Sequence, residues 1–168
     1  LTTGRFEVIG MKNKDISGSE LLGILLSVEQ KSTHPVAQAV VRYATKQKAA
    51  AVAVSAMHEL AGHGVEAVVN GRGVLVGNIR LLTERGINVP EEVSDSVATV
   101  VVCAVDGEYA GHLFLSDTLK EDAQEAVTRL KKLNITDITL LSGDKQQIVD
   151  SFAGHLGIDK AYGNLLPE

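Results

Sequence analysis

Four short groups of residues carry side chains or backbone suited to chemistry. They are Glu29 with Ser32-Thr33-His34-Pro35, the pair Gly62 and Gly64 around His63, Gly77-Asn78, and the acidic positions Asp117 and Asp144. Proline supplies the fixed φ of a first helical turn and gives up an N–H that would be unbonded there, so Pro35 reads as N1 and His34 as N-cap. Ser, Thr, Asn and Asp cap better. Ser32 and Thr33 stand beside that position unused, so local stability alone would not choose an imidazole. The ring is either a plain loop histidine or a group that something else uses. Asn78, just before Ile79-Arg-Leu-Leu, reads as a helix cap in the same two-sided way. Ser142-Gly143-Asp144 falls between an apolar strand pattern and a helix, where phosphate is often received and where ordinary turn chemistry uses the same residues. The single cysteine, Cys103, lies in an apolar strand-like run, cannot form an internal disulfide and reads as a small buried hydrophobe. His34, His58, His63, His112 and His155 show no i, i+4 pair and no Cys partner, so no metal site is expected.

The elements that must hold these groups follow from periodicity. Ser17-Gly-Ser-Glu20 has the spacing of a capping box, and Leu21, Leu22, Leu25, Leu26 and Val28 recur at helical intervals, leading directly to Glu29. After the break at Ser32 to His34, Val36, Ala37, Val40, Val41 and Ala44 mark one face of a second helix. From Ala51 the period becomes extended, and Val65 to Val69 and Arg72 to Val76 flank Asn70-Gly71, a strong hairpin signal because both turn residues tolerate positive φ. A short helical pattern closes at Gly86, and Pro90 with the acidic run Glu91 to Asp95 reads as a surface connection. Thr99 to Val105 and Glu108 to Leu115 form a second hairpin across Asp106-Gly107. Beyond Ser116-Asp117-Thr118 the rhythm is that of a parallel α/β sheet. Ala123 to Leu133 and Ile148 to Leu156 give helix faces, and Ile138 to Leu141 a continuous apolar strand. This parallel unit is too short to close its own core, so further strands are expected to attach at both chain ends.

At 168 residues with 45% hydrophobic content, the chain can bury a core in one domain or two small ones. A net charge of −5 with scattered Lys and Arg argues against a nucleic-acid surface, which needs a basic stripe. The longest apolar runs are too short to cross a bilayer, so the chain itself is expected to span no membrane. A reducing setting is expected from the cysteine usage, and the first residue, Leu1, suggests a piece of a longer protein.

Glu29, then Ser-Thr-His-Pro35, Gly62-His-Gly64, Gly77-Asn78, Asp117-Thr-Leu-Lys120 and Leu-Ser-Gly-Asp144, in that order, resemble the catalytic loop of heavy-metal-transporting P-type ATPases over almost the whole chain. Leu1-Thr-Thr-Gly4 resembles the continuation of that family's phosphorylation motif, Asp-Lys-Thr-Gly-Thr, and Leu166-Pro167-Glu168 resembles the stub that precedes its Gly-Asp-Gly-x-Asn-Asp motif. The resemblance implies an α/β protein: an α+β nucleotide-binding domain with an antiparallel sheet and flanking helices, plus a partial haloacid-dehalogenase-like parallel α/β lobe. Its implied divisions are a lead-in at residues 1–11, the nucleotide-binding domain at 12–112 and part of the phosphorylation domain at 113–168. It implies ATP as ligand, with Glu29 and His34 on adenine, Gly62 and Gly64 letting the backbone approach the nucleotide, and Gly77 and Asn78 toward the sugar and phosphates. His63 is incidental in that reading. Asp117 and Asp144 would support phosphoryl transfer, the phosphorylated aspartate and the principal Mg²⁺ ligands lying outside the chain. The remaining transporter, with its membrane, actuator and completing phosphorylation segments, would be the partner, and the chain a cytoplasmic domain of an integral membrane protein.

Many copper-transporting members carry Ser-Glu-His-Pro, and Thr33 replaces that glutamate here, which leans toward the zinc, cadmium, lead or cobalt branch. The fragment is expected to bind ATP without turning it over. The alternatives are a non-catalytic nucleotide-binding or regulatory domain, and a fragment of a haloacid-dehalogenase-like phosphatase. The latter would need an N-terminal Asp-x-Asp motif that the sequence lacks.

Overall fold

The computed structural model describes residues 2–166; Leu1 and Pro167-Glu168, which belong to the two terminal motifs, lie outside the described residues. The chain divides into two compact units, Gly4–Ser116 and a smaller one made of residues 117–166 with residues 2–3.

The larger unit is built on a six-stranded sheet. Its strands are β1 (Thr2–Asn13), β2 (Val54–Leu60), β3 (Gly64–Val69), β4 (Arg72–Gly77), β5 (Thr99–Val105) and β6 (Glu108–Leu119), in the order β1-β6-β5-β4-β3-β2. From β2 to β6 all neighbours pair antiparallel. Both tight hairpins turn where two residues accept positive φ, Asn70 (49°) with Gly71 (76°) and Asp106 (50°) with Gly107 (82°). Such turns match the right-handed twist of the strands they join.

Strand alternation gives the sheet two apolar faces. Val74, Val76, Val101, Cys103 and Val105 point one way, under helices α1 (Gly18–Glu29) and α2 (Pro35–Lys46), with Leu21, Leu25 and Val40 fully buried. Leu75, Val102 and Ala104 point the other way, under α3 (Ile79–Glu84) and α4 (Glu91–Ser94). The acidic run that reads as a surface connection therefore contains a helical turn, because Val93 within it is fully buried in this second cluster and anchors the segment. Ser17 caps α1 by accepting from the Glu20 N–H at 3.1 Å, as its spacing requires. The buried Ser27 hydroxyl donates to the Gly23 carbonyl and accepts from the Val52 N–H, tying α1 to the segment that leads into β2.

The smaller unit carries α5 (Glu121–Lys132), β7 (Thr139–Leu141), α6 (Gln146–Leu156) and β8 (Lys160–Tyr162), with β7 and β8 paired in parallel. Ala123, Val127, Leu140, Val149 and Leu156 form its own small core. Two strands cover little, and Leu133 (72% exposed), Leu141 (64%) and Leu166 (88%) face outward. No described helix is long and apolar enough to cross a membrane.

Candidate functional site

The end of α1 and the start of α2 place the first two candidate residues. Glu29 is the last residue of α1, and its carbonyl accepts from the Ser32 N–H at 2.9 Å, closing a tight connection. Ser32 is not idle, as its hydroxyl accepts from the His34 N–H at 3.2 Å and sets the approach to the helix. His34 is the N-cap of α2, and its Nδ1 accepts from the Val36 N–H at 3.2 Å, so the ring itself replaces the usual hydroxyl or carboxylate. An accepting Nδ1 carries no proton, which fixes the tautomer with its N–H at Nε2. Glu29 is 8% exposed, and among the described residues its carboxylate has no hydrogen-bond partner. Burial, and then the charge of Glu59, push its pKa up from 4.5 to about 7.

The opposite wall is made by the turn between β2 and β3 and by the junction of β4 with α3. Asn78 joins these pieces. Its N–H donates to the His63 carbonyl (2.9 Å), its Nδ2 to the Gly62 carbonyl (2.9 Å), and its Oδ1 accepts from the Leu81 N–H (3.0 Å) to cap α3. Gly64 and Gly77 face each other in the β3–β4 register. A Cβ on Gly64 would lie 2.1 Å from the Val76 carbonyl oxygen, and one on Gly77 would lie 2.1 Å from that of His63. Contact with protein backbone alone is therefore enough to require glycine at both positions. At Gly62 (φ +74°) nothing lies within 4 Å of an added Cβ, so of the three glycines it is the one that opens onto free space. The His63 Nδ1 lies 2.9 Å from the Ala61 carbonyl oxygen, and its Nε2 lies 3.4 Å from Glu84 Oε2, an ion-pair separation and not a well-formed hydrogen bond.

Between these walls is a cleft of about 310 Å³, within the range of small-molecule sites. Glu29, His34, Gly62, Gly64, Gly77 and Asn78 all line it, although they come from separate elements. Val36, Ala37, Leu60, Val65 and Val100 supply apolar surface, which suits a flat aromatic ring. Sequence reasoning passed over Glu59 and treated His63 as incidental, yet both line the cleft. Only the register that sets Glu59 opposite Val65 reveals the first of them.

Asp117 and Asp144 belong to the smaller unit and are not part of this cleft. Asp117 is half-buried near the end of β6. Asp144 follows β7, where its Oδ2 accepts from the Ser142 hydroxyl at 2.8 Å and the same hydroxyl accepts from its N–H at 3.1 Å. Cys103 is fully buried in the sheet and burial pushes its thiol up to about 12, which keeps it inert. Among the described residues no three His, Cys, Asp or Glu side chains converge as metal ligands.

Comparison with known proteins identifies the family of the chain. The family model described as haloacid dehalogenase-like hydrolase matches residues 1–168. A zinc-transporting ATPase of Synechocystis sp. is 39% identical over 169 residues, covering all of this chain and 23% of that protein. A cadmium, zinc and cobalt-transporting ATPase of Bacillus subtilis is 37% identical over 170 residues, covering all of this chain and 24% of its own length. Copper-exporting P-type ATPases match at 30% and 32% identity in Staphylococcus aureus and Staphylococcus haemolyticus. Among solved structures, a zinc-transporting PIB-type ATPase superimposes with a TM-score of 0.80 at 33% identity, over 99% of this chain and 28% of that one. The catalytic domain of the CPx-ATPase CopB-B, described with conformational changes upon nucleotide binding, gives a TM-score of 0.75 at 25% identity, over 98% of this chain and 58% of that one. The chain thus spans about a quarter of the length of the curated relatives it matches.

Proposed function

The chain belongs to the haloacid dehalogenase-like hydrolase family, and within it we propose that it is the ATP-binding portion of a P-type ATPase that exports heavy-metal cations. The observation that carries this reading is the convergence of Glu29, His34, Gly62, Gly64, Gly77 and Asn78 on one partly apolar cleft. Adenine lies against the His34 ring and the apolar wall, while the Glu29 carboxylate accepts from the exocyclic amine. Gly62 gives open approach to the backbone, and Gly64, Gly77 and Asn78 hold the wall that leads toward sugar and phosphates. The γ-phosphate is presented to an aspartate outside this chain, with Asp117 and Asp144 in supporting roles. In the full-length protein Mg²⁺ would accompany the nucleotide and offset charge on its phosphates; among the described residues no three His, Cys, Asp or Glu side chains come together to hold it.

The transported metal is proposed to be of the zinc, cadmium, lead or cobalt type. Thr33 in place of the glutamate of Ser-Glu-His-Pro supports this, as do the higher identities to zinc and cadmium transporters than to copper exporters. The domain is read as cytoplasmic, with the membrane, actuator and completing phosphorylation segments as its partners.

Isothermal titration of ATP into His34→Asn and His34→Ala tests the site. Asparagine preserves the cap that the imidazole provides, so it separates capping from base contact. Both variants should bind ATP about tenfold more weakly or worse, because one base-stacking contact is worth roughly 1–3 kcal/mol. The alanine variant alone should lose stability, by about 1 kcal/mol. Unchanged ATP affinity in folded His34→Asn would remove the nucleotide from this cleft. Phosphate release from ATP by the chain alone should stay at background, since the nucleophile is supplied from elsewhere; measurable turnover in a malachite-green assay would contradict that division of labour.

A further inference from the structure

Glu29 is nine-tenths buried, lines the cleft, and among the described residues has neither a hydrogen-bond donor nor a cation to meet it. Its carboxylate oxygens are not among the fully enclosed unpaired atoms and so stay open to the cleft, where a ligand would meet an acceptor that no protein donor has taken. A second carboxylate, Glu59 on β2, lines the same cleft. It has no ion-pair partner among the described residues, and its charge acts on Glu29. The other titratable groups of the lining do not relieve this pair. The His34 Nδ1 is spent on the Val36 N–H, and the His63 Nε2 is turned toward Glu84. The cleft therefore presents two carboxylates with no Lys or Arg in its lining to compensate them.

We propose that Glu59 is a specificity-determining residue, taking one N–H of the exocyclic amine of adenine while Glu29 takes the other. This rests on the reading of the cleft as the ATP site, and goes beyond it in demanding two donors from the base. An amino group on a purine ring offers two hydrogens on one nitrogen, in the ring plane and directed apart, which suits a cleft lined by one carboxylate from α1 and another from β2. A carbonyl oxygen at the same ring position, as in guanine or hypoxanthine, would point a lone pair at two anions and be repelled. The raised pKa of Glu29, owed first to its burial and then to the charge of Glu59, fits the same picture: its carboxylate lacks a partner that a donating amine would supply.

The experiment compares ATP, N6-methyl-ATP and N6,N6-dimethyl-ATP by isothermal titration at pH 8, with the intact chain and its Glu59→Ala and Glu59→Gln variants. In the parent, one methyl should weaken binding about five- to tenfold and two methyls further, since each removes a charge-assisted hydrogen bond. In Glu59→Ala the single methyl should cost nothing, because the vacated side accepts it, while the second still does. Glu59→Gln keeps an acceptor and should restore most of the single-methyl penalty. Glu59 is exposed on its strand, so both variants should keep the parent's amide spectrum. If the parent binds ATP and N6-methyl-ATP equally, or Glu59→Ala discriminates as the parent does, the role of Glu59 is refuted while the ATP site stands. If the parent binds no adenine nucleotide, both fall.

Discussion

Replacing Glu29 by glutamine should make the larger unit more stable, and increasingly so as the pH rises. Glu29 titrates at about 7 in the folded chain against 4.5 for a free side chain. The folded state therefore holds a proton that the unfolded state has released throughout that interval. A group raised in this way contributes stability that is fully present below pH 4.5 and lost as the pH climbs through about 7. At ~1.36 kcal/mol per pH unit, the loss amounts to about 3 kcal/mol by pH 8. Glutamine has no proton to give up, so the stability of Glu29→Gln minus that of the parent should grow by about 3 kcal/mol from pH 4.5 to pH 8. His112 acts in the opposite sense, because burial lowers its pKa from 6.5 and it gains stability for the fold as the pH rises. It is present in both proteins and cancels in the difference. Urea denaturation at several pH values, followed through the amide resonances of the buried Val74 and Val76, reads the larger unit directly. A difference that grows by less than about 1 kcal/mol across this range would show that Glu29 ionises freely, and the account of its burial in the cleft would be wrong.

Gly62 and Gly64, at the β2–β3 turn, should respond unequally to alanine. Gly64→Ala should cost about 3 kcal/mol or more, because the added carbon meets backbone on the neighbouring strand, whereas Gly62→Ala should cost about 1 kcal/mol for its positive φ alone. Equal effects in thermal melts would contradict the packing described. Hydrogen exchange should be faster in residues 120–166 than across β3 to β5, given a two-stranded sheet and outward-facing Leu133, Leu141 and Leu166. Uniform protection in a mass-spectrometric exchange series would count against two units of unequal stability.

Much of the fold is legible in short-range chemistry. Asn70-Gly71 and Asp106-Gly107 mark both hairpins because few other pairs tolerate two successive positive φ values. Ser17, Pro35 and Asn78 mark helix starts because orphan N–H groups need acceptors. The turn of α4 is hidden because it rests on one buried valine in an acidic run, a tertiary fact with no local signature. The site divides in the same way. His34 stands out because an imidazole is an unusual cap, whereas Glu59 is an ordinary exposed strand residue until β2 is aligned with β3. Gly64 and Gly77 are glycines for a reason that lies in each other, and no reading of either stretch alone reaches it.

That backbone-to-backbone meeting of Gly64 and Gly77, reinforced by the three hydrogen bonds of Asn78, has a kinetic consequence. On the proposed reading of the cleft, a wall already bonded to itself has little to order when ATP arrives, so encounter need not wait for a slow rearrangement on that side and little conformational entropy is spent there. Selection among nucleotides is then expressed in how long each remains and not in how fast it enters. Poorly matched bases should visit the cleft about as often as adenine and leave it sooner.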